Sequence, residues 1–273
     1  MIRIEKEHHW LLLSHADHAA LAGEFARHWK NDTFAPPEPF AHILDATSRH
    51  DDSWKDPDAL PLLSPDSSPS AFSEELVGSY DAFEEIDLRS YLHVRGEATE
   101  ATALRDPYSA ILVSMHTVNL LTVQADLSTL NDEDRAFHQS FIDGQITRQA
   151  ELKASLALHS DMEPFTSEDS FTKGFKFLQA CDSFSLYVGV EYSKPGKLQH
   201  AHLQRDGCET EIELIPKGNN CYTLSPYPLD EPVIHFTVPY RRIAKSDTAT
   251  LKHFQAAYAA APVEPITVTV SKH

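Results

Sequence analysis

"SFTKGFKFLQACDSFSLYVGVEY", residues 170–192, carries two periodicities in one run. Where one gives way to the other decides the architecture. Phe171, Phe175, Leu178 and Asp182 follow one another at spacings of four, three and four, the inward stripe of a helix, with a carboxylate closing it. From Leu186 the pattern becomes the alternation of a strand, "LYVGVEY". A boundary just before Ser185 therefore predicts a helical core over 1–184 and a β-rich appendage over 185–273. The runs beyond it agree: "ETEIELIPKGNNCYTL" with its Gly-Asn turn, "VIHFTV" and "PITVTV", interrupted by a helix-like "DTATLKHFQAAYAA". No repeat of fixed period and no long polar linker divides the chain. The expected class is mostly α, a helical core with a small C-terminal β-rich subdomain, α+β overall, in one domain spanning 1–273.

Upstream, "HADHAALAGEFARHW" (15–29) puts His18, Ala22, Phe25 and Trp29 on one helical face. After the proline-rich "TFAPPEPF" a second stripe, Phe40, Ile43, Leu44 and Thr47, runs into His50-Asp51. "KDPDALPLLSPDSSPS" (55–70) is expected to form a long surface loop beside His50, placed to act as a lid. "DPYSAILVSMHTVNLLTV" reads as a buried helix with Leu112, His116 and Leu120 at steps of four, and "NDEDRAF" announces another, capped by Asn131 and reaching about Leu158.

Each of four helical stripes thus ends in a group that water normally keeps: His18, His50-Asp51, His116 and Asp182. An ionised carboxylate without a partner in an apolar interior costs several kcal/mol or is neutralised. Convergence on a divalent cation removes that cost, since neutral imidazole and carboxylate are natural ligands of zinc, iron or manganese. Taken singly, His18 and His116 also suit core histidines bonded to backbone carbonyls, Asp182 a buried helix cap, and His50-Asp51-Asp52 a solvated helix end.

The 273 residues carry 23 Lys plus Arg against 41 Asp plus Glu, a net charge of −18, which argues against nucleic acid and anionic membranes as partners. Arg241-Arg242 beside Tyr240 is too small a basic patch to reverse that. The opening "MIRIEKEHHWLLLSHADH" holds an apolar run too short for a membrane span and no cleavage site, and three cysteines lack metal spacing. A cytoplasmic protein acting on a small molecule is expected. Cys181 reads as a buried filler. Among the sixteen histidines, His8, His9, His42, His138 and His159 read as solvated or structural. Arg148 shares a helix face with Phe137 and Phe141 and is the candidate clamp for an anionic substrate, with a salt bridge as the competing reading.

The order His, then His-Asp, then a distant Asp resembles the HD-domain superfamily of metal-dependent phosphohydrolases. More closely, "DHAALAGEFARHW", "HDDSW", "AILVSMH", "LQACDSFSLYV" and "LSPYPL" resemble an uncharacterised HD-like bacterial family, a domain of unknown function. His15 stands where that family is expected to carry glutamine, and Ser53 where glycine often follows the paired aspartates. The resemblance implies that His18, His50, Asp51 and Asp182 hold a divalent metal (Zn, Mn, Mg or Fe), with His116 a further ligand or one for a second metal. It implies hydrolysis of a phosphate ester by a metal-bound water. In that chemistry Asp52 would orient or deprotonate the water and His15 would protonate the leaving group. An HD-type di-iron oxygenase and a non-catalytic, metal-stabilised ligand-binding module are the alternatives. Only His93 lies between Asp51 and His116 to serve a second ion, which favours one metal.

Overall fold

The computed structural model describes residues 1–77, 87–128 and 130–272. They divide into two compact units, one of Met1–Pro36, Thr47–Glu75 and Gln179–His273, the other of Pro37–Ala46 and Leu76–Leu178.

The first unit is built on a seven-stranded sheet. Its strands are β1 (Ile2–Glu5), β2 (His9–Leu13), β3 (Gly196–Lys197), β6 (Glu213–Gly218), β7 (Cys221–Ser225), β8 (Val233–Ala244) and β9 (Val263–Ser271), in the order β1-β2-β8-β9-β7-β6-β3. β4 (His202–Leu203) and β5 (Glu209–Thr210) form a separate pair. All neighbours in the large sheet run antiparallel except β7 and β9. β8 is the spine: Ile234, Phe236, Val238 and Tyr240 alternate inward along it, and Val238 faces Ile266 of β9 across the ladder. Gly218, Asn219 and Asn220 all take left-handed backbone angles at the β6–β7 turn. This is the Gly-Asn signal of the sequence realised as a hairpin.

Three helices belong wholly to this unit: α1 (His15–Arg27), α3 (Lys55–Ala59) and α8 (Leu251–Ala260). Phe25 of α1 stacks on Phe184 at 3.9 Å, and both rings lie against Phe236 of β8. Each such buried ring is worth about 2–3 kcal/mol. Phe184 sits in α7 (Glu168–Gly189), whose end is tied to the sheet where Tyr240 Oη donates to the Gly189 carbonyl at 3.0 Å. Among the described residues no helix is long and apolar enough to cross a membrane.

The second unit is helical. It holds α4 (Leu88–Ala103), α5 (Pro107–Asn119) and α6 (Asp132–Leu156), with the first parts of α2 (Phe40–Arg49) and α7. Asn131 caps α6 as its sequence announces, accepting from the Asp134 N–H at 2.9 Å. Asp106 does the same for α5.

Two expectations are corrected. The class is α+β with a large mixed sheet, not a mostly α core with a small C-terminal β-rich subdomain. The N-terminal segment supplies two of the seven strands, and the helix of the opening stretch continues through "SLYVG" to Gly189 instead of yielding to a strand. The physical reason is close packing. A Cβ at Gly189 would sit 3.4 Å from Leu13 and 3.5 Å from Ile2, so the helix end lies in van der Waals range of β1 and β2, and tertiary contact overrides the β preference of Val188. Residues 55–70 also form no single surface loop: the first five are α3, Leu63 bridges Pro69, and Ser68 and Ser70 are buried.

Candidate metal centre

His18 occupies the same face of α1 as Phe25, two turns earlier, so the aromatic packing against β8 fixes its depth. α1 also lies against the last turn of α2. A Cβ on Gly23 would fall 2.1 Å from Ser48 Oγ and 2.9 Å from Ser48 Cα, so only glycine permits the approach. His50 follows that turn directly, and its Nδ1 meets the Thr47 carbonyl at 2.9 Å. The two imidazoles consequently meet edge to face, with ring centres 5.2 Å apart. Asp51 leads into a short 3-10 turn, Asp52–Trp54, whose Trp54 N–H donates back to the Asp51 carbonyl at 3.1 Å. Asp182 arrives on α7, two residues before Phe184 of the aromatic core.

Two carboxylates flank a pair of imidazole nitrogens. His18 Nε2 and His50 Nε2 are 3.3 Å apart. Asp182 Oδ1 lies 3.1 Å from the first and 3.3 Å from the second. Asp51 Oδ2 lies 3.8 Å from each. The side chains are nearly sealed, with exposures of 2% for His18, 0% for His50, 5% for Asp51 and 7% for Asp182. Burial pulls the His18 ring below its ordinary pKa. Burial acts on His50 in the same sense, but Asp51 and then Asp182 outweigh it and push that ring up to about 9. Without a cation, the carboxylates keep one proton on His50.

This set fits a divalent transition metal. Ligand atoms about 2.0–2.1 Å from a tetrahedral zinc stand about 3.3 Å from one another, close to the 3.1–3.3 Å spacings among His18, His50 and Asp182, with Asp51 at 3.8 Å from both rings. Two imidazoles with two carboxylates suit zinc, manganese or iron, whereas magnesium prefers oxygen alone. The second ring nitrogens are also engaged. His50 Nδ1 has the Thr47 carbonyl, and His18 Nδ1 lies 2.6 Å from Ser185 Oγ, which itself donates to the Asp182 carbonyl at 2.8 Å. Neither Thr47 nor Ser185 is picked out by the sequence reading as a partner of the centre: one contributes only a main-chain carbonyl and the other is one hydroxyl among many.

The other sequence candidates are placed as follows. His116 is buried on α5 in the second unit. His15 is the first residue of α1; its ring stacks on Trp54 at 4.6 Å, its Nδ1 lies 3.0 Å from Asp58 Oδ1, and its backbone N–H donates to Asp58 Oδ2 at 2.6 Å. Burial pushes the Asp58 carboxyl up, but the His15 ring, the Met1 amine and these hydrogen bonds hold it well below the usual carboxylate range. Asp52 is partly exposed, 3.0 Å from Lys55 Nζ. Arg148 is not a vacant clamp, because Glu100 and Glu151 both bind its guanidinium, at 2.9 Å and 3.1 Å. Burial pushes the Cys181 thiol far above its ordinary pKa, as befits a filler.

Comparison with curated proteins and with solved structures finds no match. Residues 1–245 match a family model described as a protein of unknown function (DUF3891). That span contains all four converging side chains, together with Ser185, Thr47 and every strand but β9. The chain belongs to the DUF3891 family.

Proposed function

We propose that this chain is a metal-dependent hydrolase in which His18, His50, Asp51 and Asp182 hold one divalent transition-metal ion, and that phosphate esters are its substrate class. One observation carries the reading: two imidazole nitrogens, sealed from water, stand 3.3 Å apart and each meets a carboxylate oxygen of Asp51 and one of Asp182 at 3.1–3.8 Å, a concentration of electron pairs and negative charge that requires a shared positive charge. Their order along the chain, His, His-Asp and Asp, is that of HD-domain phosphohydrolases, which supports the choice of reaction. Bound there, such an ion supplies Lewis acidity and an acidified water. The chain's own residues supply the rest. Asp52, adjacent to a ligand and partly exposed beside Lys55, is the carboxylate available to take a proton from water. His15, one turn from His18 on α1 and held between Asp58 and the Met1 amine, is the imidazole that would exchange these partners to return one to a leaving group.

The near-complete burial of the four side chains favours a second reading, a cation that only stabilises a binding module, because structural sites are closed whereas catalytic sites keep a position open. Elemental analysis of protein purified without chelator, alongside turnover of p-nitrophenyl phosphate, separates the two. Hydrolysis requires about one ion per chain and turnover that stops on chelation. A tightly held ion with no turnover supports the module. Asp51→Ala is expected to lose most of the metal and Asp52→Ala to keep it while turning over more slowly; equal occupancy in Asp51→Ala and wild type would sink the ligand assignment.

A further inference from the structure

We infer that Ser185 is the positioning residue of this centre: its hydroxyl accepts the Nδ1 proton of His18 and so presents the Nε2 electron pair to the cation. The inference rests on the metal reading above and concerns how the chain prepares one ligand.

A ligating imidazole must offer the nitrogen that faces the ion, and which nitrogen is free is set by what the other one bonds. For His50 the answer is unambiguous. Its Nδ1 faces the Thr47 carbonyl at 2.9 Å, and a carbonyl can only accept, so Nδ1 keeps its proton and Nε2 is the nitrogen that a cation would take once it displaces the second proton. His18 has no carbonyl in that role; its Nδ1 meets Ser185 Oγ at 2.6 Å. A hydroxyl has one proton. The Asp182 carbonyl, 2.8 Å from the same oxygen and one turn back on α7, is the acceptor that takes it. With that proton committed, Ser185 Oγ presents electron pairs to His18 and must receive the Nδ1 proton, which leaves Nε2 aimed at His50 Nε2, Asp51 and Asp182.

One hydroxyl thereby ties the side chain of one ligand to the backbone of another. It does so at a fully buried position. Ser183 provides an internal comparison. It makes the same backward bond, to the Ala180 carbonyl at 2.9 Å, and is also buried, but what it accepts is the Gln199 backbone N–H at 3.1 Å. Deleting its hydroxyl damages the same helix without touching a ligand.

The test is zinc affinity, measured by competition with a chromophoric chelator, in wild type, Ser185→Ala, Ser185→Thr and Ser183→Ala. Loss of a partner that orients a metal-bound histidine weakens binding by about 10- to 100-fold. Ser185→Ala is therefore expected to weaken zinc by that factor, Ser185→Thr to restore it to within about threefold, and Ser183→Ala to lower the melting temperature without changing affinity. Undiminished affinity in Ser185→Ala, or equal losses in Ser185→Ala and Ser183→Ala, would overturn the assignment while leaving the metal centre standing. Wild-type protein that binds no zinc, manganese or iron would overturn the metal reading itself and this inference with it. Should Ser185→Ala not fold, nitrogen-15 spectra of the zinc-loaded wild type decide the matter: a slowly exchanging Nδ1 proton on His18 is expected, and its absence would refute the bond.

Discussion

Both units bury polar side chains, and they settle the cost in opposite ways. In the helical unit Gln145 Oε1 accepts from Thr99 Oγ1 at 2.9 Å and from Ser114 Oγ at 2.7 Å, while Gln149 Nε2 donates to Ser114 at 2.9 Å. Every group in this network is neutral, and both hydroxyl protons have an acceptor. In the sheet-based unit two imidazole nitrogens and two carboxylate oxygens face one another with one proton on His50 to share. A matched neutral network closes on itself and holds helices in register. A cluster with more acceptors than donors is completed only by charge from outside, which is why the second arrangement, and not the first, reads as a ligand site.

The largest expected effect tests that asymmetry through pH. His50 is held protonated in the metal-free protein, its pKa raised from 6.5 to about 9, and a dication must displace that proton to bind. Between pH 6 and pH 8 zinc affinity should rise about tenfold per unit, roughly a hundredfold in all, because one proton leaves per ion. Stability of the metal-free protein moves the other way. Its gain from protonated His50 is full below the unfolded pKa of about 6.5 and fades as pH climbs through the folded value. The gap in melting temperature between zinc-loaded and chelated protein should therefore widen from pH 6 to pH 8. An affinity flat across this range would break the contrast, showing that no proton stands in for the cation.

A smaller effect is expected from geometry alone. Gly23→Ala drives a methyl group into Ser48, 2.1 Å from Oγ and 2.9 Å from Cα, and the backbone part of that overlap cannot be relieved by turning a side chain. Overpacking of this kind costs about 1–3 kcal/mol. Because it separates α1 from the end of α2, it should also weaken zinc, whereas Gly144→Ala in α6, where a Cβ meets nothing within 4 Å, should gain about 0.5–1 kcal/mol and leave zinc untouched. Equal zinc affinity in both variants would show that the contact at Gly23 does not set the spacing of His18 and His50.

Much of this could be read from residue order. The stripes ending in His18, His50-Asp51 and Asp182 are real, and the caps at Asn131 and Asp106 act as their types suggest. The sheet was harder to see. In β1 the alternation of Ile2 and Ile4 is genuine but only four residues long, and β2 hides its strand character because Trp10, Leu11, Leu12 and Leu13 are all buried, leaving no alternation to detect. "LYVG" misleads for the converse reason: Val188 and Tyr187 favour a strand, but packing of Gly189 on Ile2 and Leu13 keeps the helix intact. Among the residues of the centre, the proposed ligands announce themselves by charge at the end of an apolar stripe. Their supports do not, since a carbonyl belongs to every residue and a serine on a helix face has no distinctive spacing.

The smallest expected effect concerns the neutral network and asks whether it is only structural. Gln145→Leu removes the acceptor shared by Thr99 and Ser114. Ser114 keeps Gln149 as a donor to it, and Thr99 keeps a long contact of 3.5 Å to the Arg95 carbonyl. The loss should be about 1–2 kcal/mol, since two buried hydroxyls lose their best acceptor. Adding Thr99→Val and Ser114→Ala removes the stranded hydroxyls, so the triple variant should recover most of that stability, with zinc affinity unchanged throughout. Chemical denaturation of the three proteins measures it. Recovery would mark the network as interchangeable with apolar packing, a property that the four charged and titratable groups of the other unit cannot share. Should the triple variant instead remain as unstable as Gln145→Leu, the glutamine's bulk rather than its hydrogen bonds would be what the helical unit needs, and the distinction drawn between the two polar clusters would rest on the cation centre alone.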